Sequence, residues 1–201
     1  MASDRSSCAL AYRRRASALL AASADDLPSM TVAREPLRSL RLHLADAAAT
    51  ARAGAALAPA LAGGMVVTLS GDVGAGKTTL VRGALRALGV AGSIKSPTYA
   101  LVEHYSLSSI YFYHLDFYRF NNSDEWEDAG VAEYFRADTV CLIEWPERVA
   151  ALLPPCDLSL VISFASAAQT GRSLLAQAGS PAGERCLNAI AAAFPIRDAT
   201  R

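Results

Sequence analysis

Eight residues, Gly71-Asp-Val-Gly-Ala-Gly-Lys-Thr78, sit between two segments of opposite character, and no other feature narrows the available folds as much. Before them runs Met65-Val-Val-Thr-Leu-Ser70, a short apolar stretch suited to a buried strand. After them Leu80, Val81, Ala84, Leu85 and Leu88 recur at helical spacing, and Gly89 stands where such a helix would end. Strand, glycine loop and helix form the context in which the spacing G-x-x-x-x-G-K-[ST] acquires chemical meaning. Glycines let successive backbone N–H groups converge on phosphate oxygens, and the helix N-terminus adds its dipole. Lys77 would then reach the β- and γ-phosphates, and the Thr78 hydroxyl would ligate Mg²⁺. The competing explanation is a glycine turn without a ligand. Lys77 and Lys95 are the only lysines in a chain that otherwise uses arginine for positive charge, so an ammonium is specifically wanted at position 77.

The loop needs an acidic partner at the end of a neighbouring strand before it can do chemistry. Asp116 ends the run IYFYHLD and Glu144 ends VCLIE, each a carboxylate at the C-terminal end of an apolar strand, where ligands of open α/β sheets collect. Lys95-Ser-Pro-Thr98 follows the loop helix and is either a nucleotide-sensing switch, with the Thr98 hydroxyl near the γ-phosphate or metal, or a plain Ser-Pro turn. Guanine specificity usually needs an Asn/Thr-Lys-x-Asp signature, which is missing here, so adenine is the expected base.

With 201 residues, 52% of them hydrophobic, the chain can bury the core of one α/β domain but not of two. The expectation is a single P-loop NTPase-like domain over 34–201, with a central, mostly parallel sheet flanked by helices and an antiparallel hairpin. That hairpin comes from strands Tyr99–Tyr105 and Ile110–Leu115 turning near Ser108-Ser109. Further expected elements are an Ala-rich helix from about Leu40 to Ala58, a helix over Asn122–Phe135 interrupted by Gly130, strands at Val140–Ile143 and Leu158–Phe164, and a last helix near Arg185–Phe194. Residues 1–33 read as a disordered extension. Met30 offers a second start, and the Arg, Ser and Ala content of the segment suits a transit peptide as the alternative.

Lys+Arg and Asp+Glu both count 19, so no global positive field draws the chain onto DNA, and contact with RNA is expected through a partner. The longest uncharged run, Ala53–Gly71, is broken by Pro59 and Gly63-Gly64, which leaves no membrane anchor in view. Cys8, Cys141, Cys156 and Cys186 lie far apart, and Cys141 falls inside an apolar strand, so a buried thiol in a reducing cytosol is expected.

Taken together, GDVGAGKTT, KSPTYALVEHY, YHLDFYR and LIEWPER resemble the TsaE (formerly YjeE) family of P-loop ATPases, in order and spacing, from about Arg34 to Phe164. The resemblance implies a small cytoplasmic ATPase that uses ATP/ADP and Mg²⁺. By the same resemblance it would join TsaD and TsaB in forming threonylcarbamoyladenosine in tRNA, and would meet tRNA only through that complex. It also implies that Gly74, Ala75, Gly76, Lys77, Thr78 and Thr79 wrap the phosphates, that Thr78 and Glu144 hold Mg²⁺, and that Asp116 is the important acid near the γ-phosphate. Thr98 looks like the family's switch threonine, and Trp145, Pro146 and Arg148 like a segment packed over the nucleotide, a core tryptophan being the alternative for Trp145. His114 and Tyr118 are expected to pack and position. Asp46–Thr50 aligns with the adenine side, and Gly171, in the pair Gly171-Arg172, follows a loop a few residues longer than the family's. Two rivals are a P-loop small-molecule kinase and a nucleotide-gated interaction module without essential hydrolysis.

Overall fold

The computed structural model describes residues 38–107, 110–120, 124–165 and 171–194. The expectations for the N-terminal extension, Met30, the turn at Ser108-Ser109 and the helix start at Asn122 lie outside the described residues.

Seven strands form one sheet: β1 (Arg38–Leu44), β2 (Met65–Ser70), β3 (Val102–Leu107), β4 (Ile110–Asp116), β5 (Thr139–Glu144), β6 (Leu158–Phe164) and β7 (Arg172–Ala178). Their spatial order is β1-β7-β6-β2-β5-β4-β3. The centre, β6-β2-β5-β4, is parallel, and antiparallel strands close both edges: β3 on β4, and β7 with β1 on β6. A parallel centre must be covered on both faces, which is why Met65–Ser70 and Thr139–Glu144 read as continuous apolar runs instead of alternating.

The two faces divide those runs residue by residue. Met65, Val67 and Leu69 of β2, with Val140 and Leu142 of β5, face helices α1 (Ala47–Leu57), α2 (Lys77–Ala87) and α4 (Pro181–Ala193). Val66, Cys141 and Ile143 face the other way, against Phe117, Phe120, Val131, Leu152 and the fully buried Trp126 of the short helix α3 (Asp124–Asp128). Burial pushes the Cys141 thiol up to about 12 and the Cys186 thiol up to about 11, so both are inert packing groups as expected.

Several expected boundaries move, each for a local reason. The Ala-rich helix begins at Ala47, not near Leu40, because Leu40, Leu42 and Leu44 alternate along β1, which pairs in register with β7. Asp46, two residues past that strand, caps α1, accepting a hydrogen bond from Ala49 N at 2.7 Å. Strand β7 was not expected from the sequence, since its inward positions Leu174, Ala176 and Ala178 include two alanines, which are depleted in strands. The hairpin's first strand starts at Val102 because Leu101 takes a left-handed φ of 66° and its N–H closes a turn onto Pro97 O at 2.7 Å. Gly130, at φ 61°, stops α3 and hands over to a single 3₁₀ turn, Val131–Tyr134. The last helix starts at Pro181, where Ser180 caps it by accepting from Gly183 N.

Helices α1 and α2 meet backbone to backbone. A Cβ on Gly54 would lie 1.9 Å from Leu80 O, and one on Gly83 would lie 2.0 Å from Ala51 O. This contact seats α2, and with it the glycine loop at its start. Helix propensity alone would favour Gly83→Ala by about 1 kcal/mol, but the added methyl has no room. A net destabilisation of about 1–3 kcal/mol is expected in denaturant unfolding. A neutral or stabilising result would show that the two helices are not in such close contact.

Candidate nucleotide site

The parallel register brings the chemistry to one edge. Leu69, near the end of the central strand, pairs with Glu144 of β5, and Glu144 pairs with Asp116 of β4. The glycine loop leaves β2 at the same level. At Gly71, with φ 135°, a Cβ would lie 2.0 Å from Ile162 O, so only glycine lets the chain turn there. Gly74 and Gly76 also take positive φ, and the Cβ direction at Gly74 meets nothing within 4 Å, leaving an open cradle.

A cavity of about 270 Å³ opens beside the loop, walled by Gly74, Gly76, Lys77, Thr78, Thr79, Thr98, Asp116, Glu144 and Trp145, together with Val73, Ser96 and Tyr118. Nine of the residues singled out in the sequence thus share one space. Ala75 lies on a second, smaller cavity of about 80 Å³ behind the loop, with Ala47, Thr50, Gly74, Gly76, Thr79 and Arg172. Pro146, Arg148 and Gly171 line neither cavity. Pro146 and Arg148 lie in the 3₁₀ turn that follows Trp145, and Arg172 reaches the loop.

Lys77 is buried, 4% exposed, with its ammonium donating to Gly71 O at 2.6 Å and Asp72 O at 3.0 Å and lying 4.0 Å from the Trp145 ring centroid. Those carbonyls and the ring face are the polar and cation–π partners of the buried ammonium. Burial holds the ammonium below the ordinary lysine value, against the upward pull of Glu144, Asp116, Glu147 and Asp72.

Glu144 is nearly fully buried. Its Oε1 accepts from the Thr78 hydroxyl at 2.7 Å and from His114 Nε2 at 2.9 Å. A carboxylate only accepts, so the ring proton sits on Nε2, and Nδ1 is left buried with no partner among the described residues. Asp116 is held at both oxygens: Oδ1 accepts from Tyr118 N at 3.0 Å, and Oδ2 accepts from Thr98 Oγ1 at 2.6 Å and Ser96 Oγ at 2.9 Å. Trp145 is half-buried and adopts φ 59°, an uncommon region for a non-glycine residue; its ring lies against Tyr118 at 5.0 Å.

Sequence reasoning did not select Ser96 or Arg172 for the site, and gave His114 and Tyr118 packing roles only. The Ser-Pro-Thr spacing could have pointed to Ser96, since two hydroxyls two residues apart can share one carboxylate. Nothing local shows that Arg172 will reach the glycine loop, whose carbonyls Ala75 O and Gly74 O lie 97 and 98 positions away.

Two oxygen donors, Thr78 and Glu144, meet at the loop, and among the described residues no cluster of three His, Cys, Asp or Glu stands ready to hold a metal alone. That donor set fits Mg²⁺, which favours oxygen and takes few protein ligands, keeping water and substrate phosphates for the rest. Among the described residues no helix is long and apolar enough to cross a membrane.

A glycine loop between the central parallel strand and a helix, faced by acids from the next two strand ends, defines a P-loop α/β protein. The family model described as threonylcarbamoyl adenosine biosynthesis protein TsaE matches residues 44–174. The chain belongs to the TsaE family. Proteins named tRNA threonylcarbamoyladenosine biosynthesis protein TsaE are 46% identical over 100 residues in Haemophilus influenzae and 42% over 102 residues in Bacillus subtilis. These matches cover 50% and 51% of this chain, and 63% of each relative, less than two thirds of its length. The relative so named in Treponema pallidum is 38% identical over 125 residues, 62% of this chain and 90% of its own. The crystal structure of YdiB from Bacillus subtilis aligns with a TM-score of 0.61 at 29% identity, over 77% of this chain and 95% of that one.

Because burial lowers the Lys77 pKa, the folded chain binds that proton less tightly than the unfolded chain. The charge therefore costs stability below the lowered value, and the cost fades as pH climbs toward the ordinary 10.5. Lys77→Met, similar in length and uncharged, is expected to raise the Tm of ligand-free protein near neutral pH, with the advantage shrinking as pH nears that value. Melting curves of both proteins across this range check it. A variant less stable than wild type at neutral pH contradicts the desolvation argument.

Proposed function

We propose that this chain binds ATP and ADP with Mg²⁺ and hydrolyses ATP slowly, as the cytoplasmic ATPase subunit that works with TsaB and TsaD to form threonylcarbamoyladenosine in tRNA. The observation that carries the proposal is the Thr78–Glu144 hydrogen bond of 2.7 Å at the mouth of a glycine loop whose lysine is buried beside it. The names borne by the relatives supply the process, and the cavity supplies the chemistry.

In the proposed mechanism the backbone amides of 74–79 receive the phosphate tail. Lys77 exchanges its carbonyl partners Gly71 and Asp72 for the terminal phosphates, a short swing of an ammonium already desolvated. Thr78 and Glu144 would hold Mg²⁺, which when bound offsets the negative charge of the phosphate oxygens. His114, hydrogen-bonded to Glu144 Oε1, leaves that carboxylate little freedom to turn. Asp116, gripped by Thr98 and Ser96, is the acid available to orient a water for attack at the γ-phosphorus, with ADP leaving and the proton passing to the phosphate released. Trp145 and Tyr118 screen the mouth from bulk water. Thr50 and Ala47 border the smaller cavity on the side assigned to adenine. The balance of 19 basic and 19 acidic residues supports an indirect relation to tRNA.

One observation favours a second reading, in which occupancy by ATP reshapes a surface for the partners and turnover is incidental. Among the described residues, those walling the larger cavity include no glutamine or arginine that could serve as a finger toward the attacking water. Reconstituting the modification reaction with ATP and with a non-hydrolysable analogue separates the two. Full multiple turnover with the analogue would remove hydrolysis from the role. Calorimetry with ADP and ATP tests the common foundation, and absence of binding, alone or with TsaB and TsaD, would sink both. Glu144→Ala is expected to weaken nucleotide binding with Mg²⁺ more than binding without metal. Equal losses would show that Glu144 does not hold the metal.

A further inference from the structure

Arg172 makes contacts that the phosphate chemistry leaves unexplained. It is the first residue of β7, paired with Phe164 of β6 on one side and Leu44 of β1 on the other. Its guanidinium crosses to the glycine loop, where Nε donates to Ala75 O at 2.8 Å and Nη2 donates to Gly74 O at 3.2 Å. Nη1 donates to Gly171 O at 2.7 Å, and the Phe164 ring lies 4.3 Å away across the guanidinium plane. The preceding glycine makes this reach feasible: Gly171 has φ 70°, and a Cβ there would lie 2.8 Å from His43 Cε1.

We propose that Arg172 is a positioning residue that sets the amides of the glycine loop for an anion before one arrives. A trans peptide unit holds its C=O and N–H in opposite directions. The bond from Arg172 to Ala75 O therefore turns the Gly76 N–H away from the guanidinium, and Gly76 borders the larger cavity, which Arg172 does not. The bond to Gly74 O does the same for the Ala75 N–H, which donates to Asp72 O at 3.1 Å and closes the first turn of the loop. Carbonyl oxygens are the groups a phosphate must not meet. A charged, two-pronged donor behind the loop holds them out of its way. Lysine would carry the charge without the fork. Ordering the loop in advance removes that cost from binding, so the benefit appears as affinity for the phosphate end of a ligand.

The affinity part of this inference rests on the nucleotide-binding function proposed above. The test compares wild type, Arg172→Ala and Arg172→Lys in the full chain, by calorimetry with ADP and with inorganic tripolyphosphate, and by amide exchange of the ligand-free protein. Arg172→Ala is expected to weaken both ligands by the same factor, about tenfold, which is about 1.4 kcal/mol at 25 °C. Arg172→Lys should recover only a minor part of the loss. Exchange should quicken at Ala75 and Gly76 while the core of β2 and β5 is unaffected. Weakened ADP binding with unchanged tripolyphosphate binding would make Arg172 a nucleoside contact and overturn the proposal. So would unchanged exchange at Ala75 and Gly76 in a folded variant. Should Arg172→Ala fail to fold, Arg172→Lys undergoes the same measurements, and the same outcomes support or overturn the proposal. Wild-type protein that binds neither ligand defeats the functional proposal, and the exchange measurement still decides the role of Arg172.

Discussion

A buried ammonium in a loop of glycines is tolerable only where opposite charge stands close by, and here that charge comes from the parallel register of three strands. Leu69 opposite Glu144, and Glu144 opposite Asp116, put two nearly buried carboxylates within the field of Lys77. Slipping β5 by one residue would turn the Glu144 side chain to the other face of the sheet and leave Lys77 with little to balance it. The apolar runs that bury β2 and β5 on both faces hold the register, so packing energy far from the cavity maintains the charge arrangement inside it.

The loop is braced from two directions. On one side α2 is pressed against α1 through Gly54 and Gly83, which fixes where the helix begins. On the other, Arg172 holds two loop carbonyls from the antiparallel edge of the sheet. The antiparallel edge thus does more than extend the sheet: β7 brings Arg172, and the helix α1 that follows β1 brings Ala47 and Thr50, to the back of the loop. The front is lined differently, by hydroxyls and aromatic rings. Ser96 and Thr98 share one oxygen of Asp116, and Trp145 covers Lys77.

Much of the site could be read directly from the chain, because its parts are local. The glycine spacing, the lysine and the threonine lie within eight residues, and the acids end recognisable strands. The edge strands were harder. Leu40, Leu42 and Leu44 run into an alanine-rich helix, and Leu174, Ala176 and Ala178 carry weak strand preference, so neither segment declares itself without its partner. The same limit hid Arg172. A glycine marks a change of direction, but it does not say what the next side chain will reach.

The sequence by itself determined the class of the fold and most of the residues that share the cavity beside the glycine loop, since hydrophobic period, glycine spacing and residue chemistry act over a few positions. Only the tertiary structure decided which carboxylate oxygen meets which hydroxyl, that His114 stands behind Glu144, and that Arg172 grips the loop from 97 residues away. Those choices depend on strand order and register, which are settled by burial summed over the whole sheet and leave no mark in any short stretch of chain.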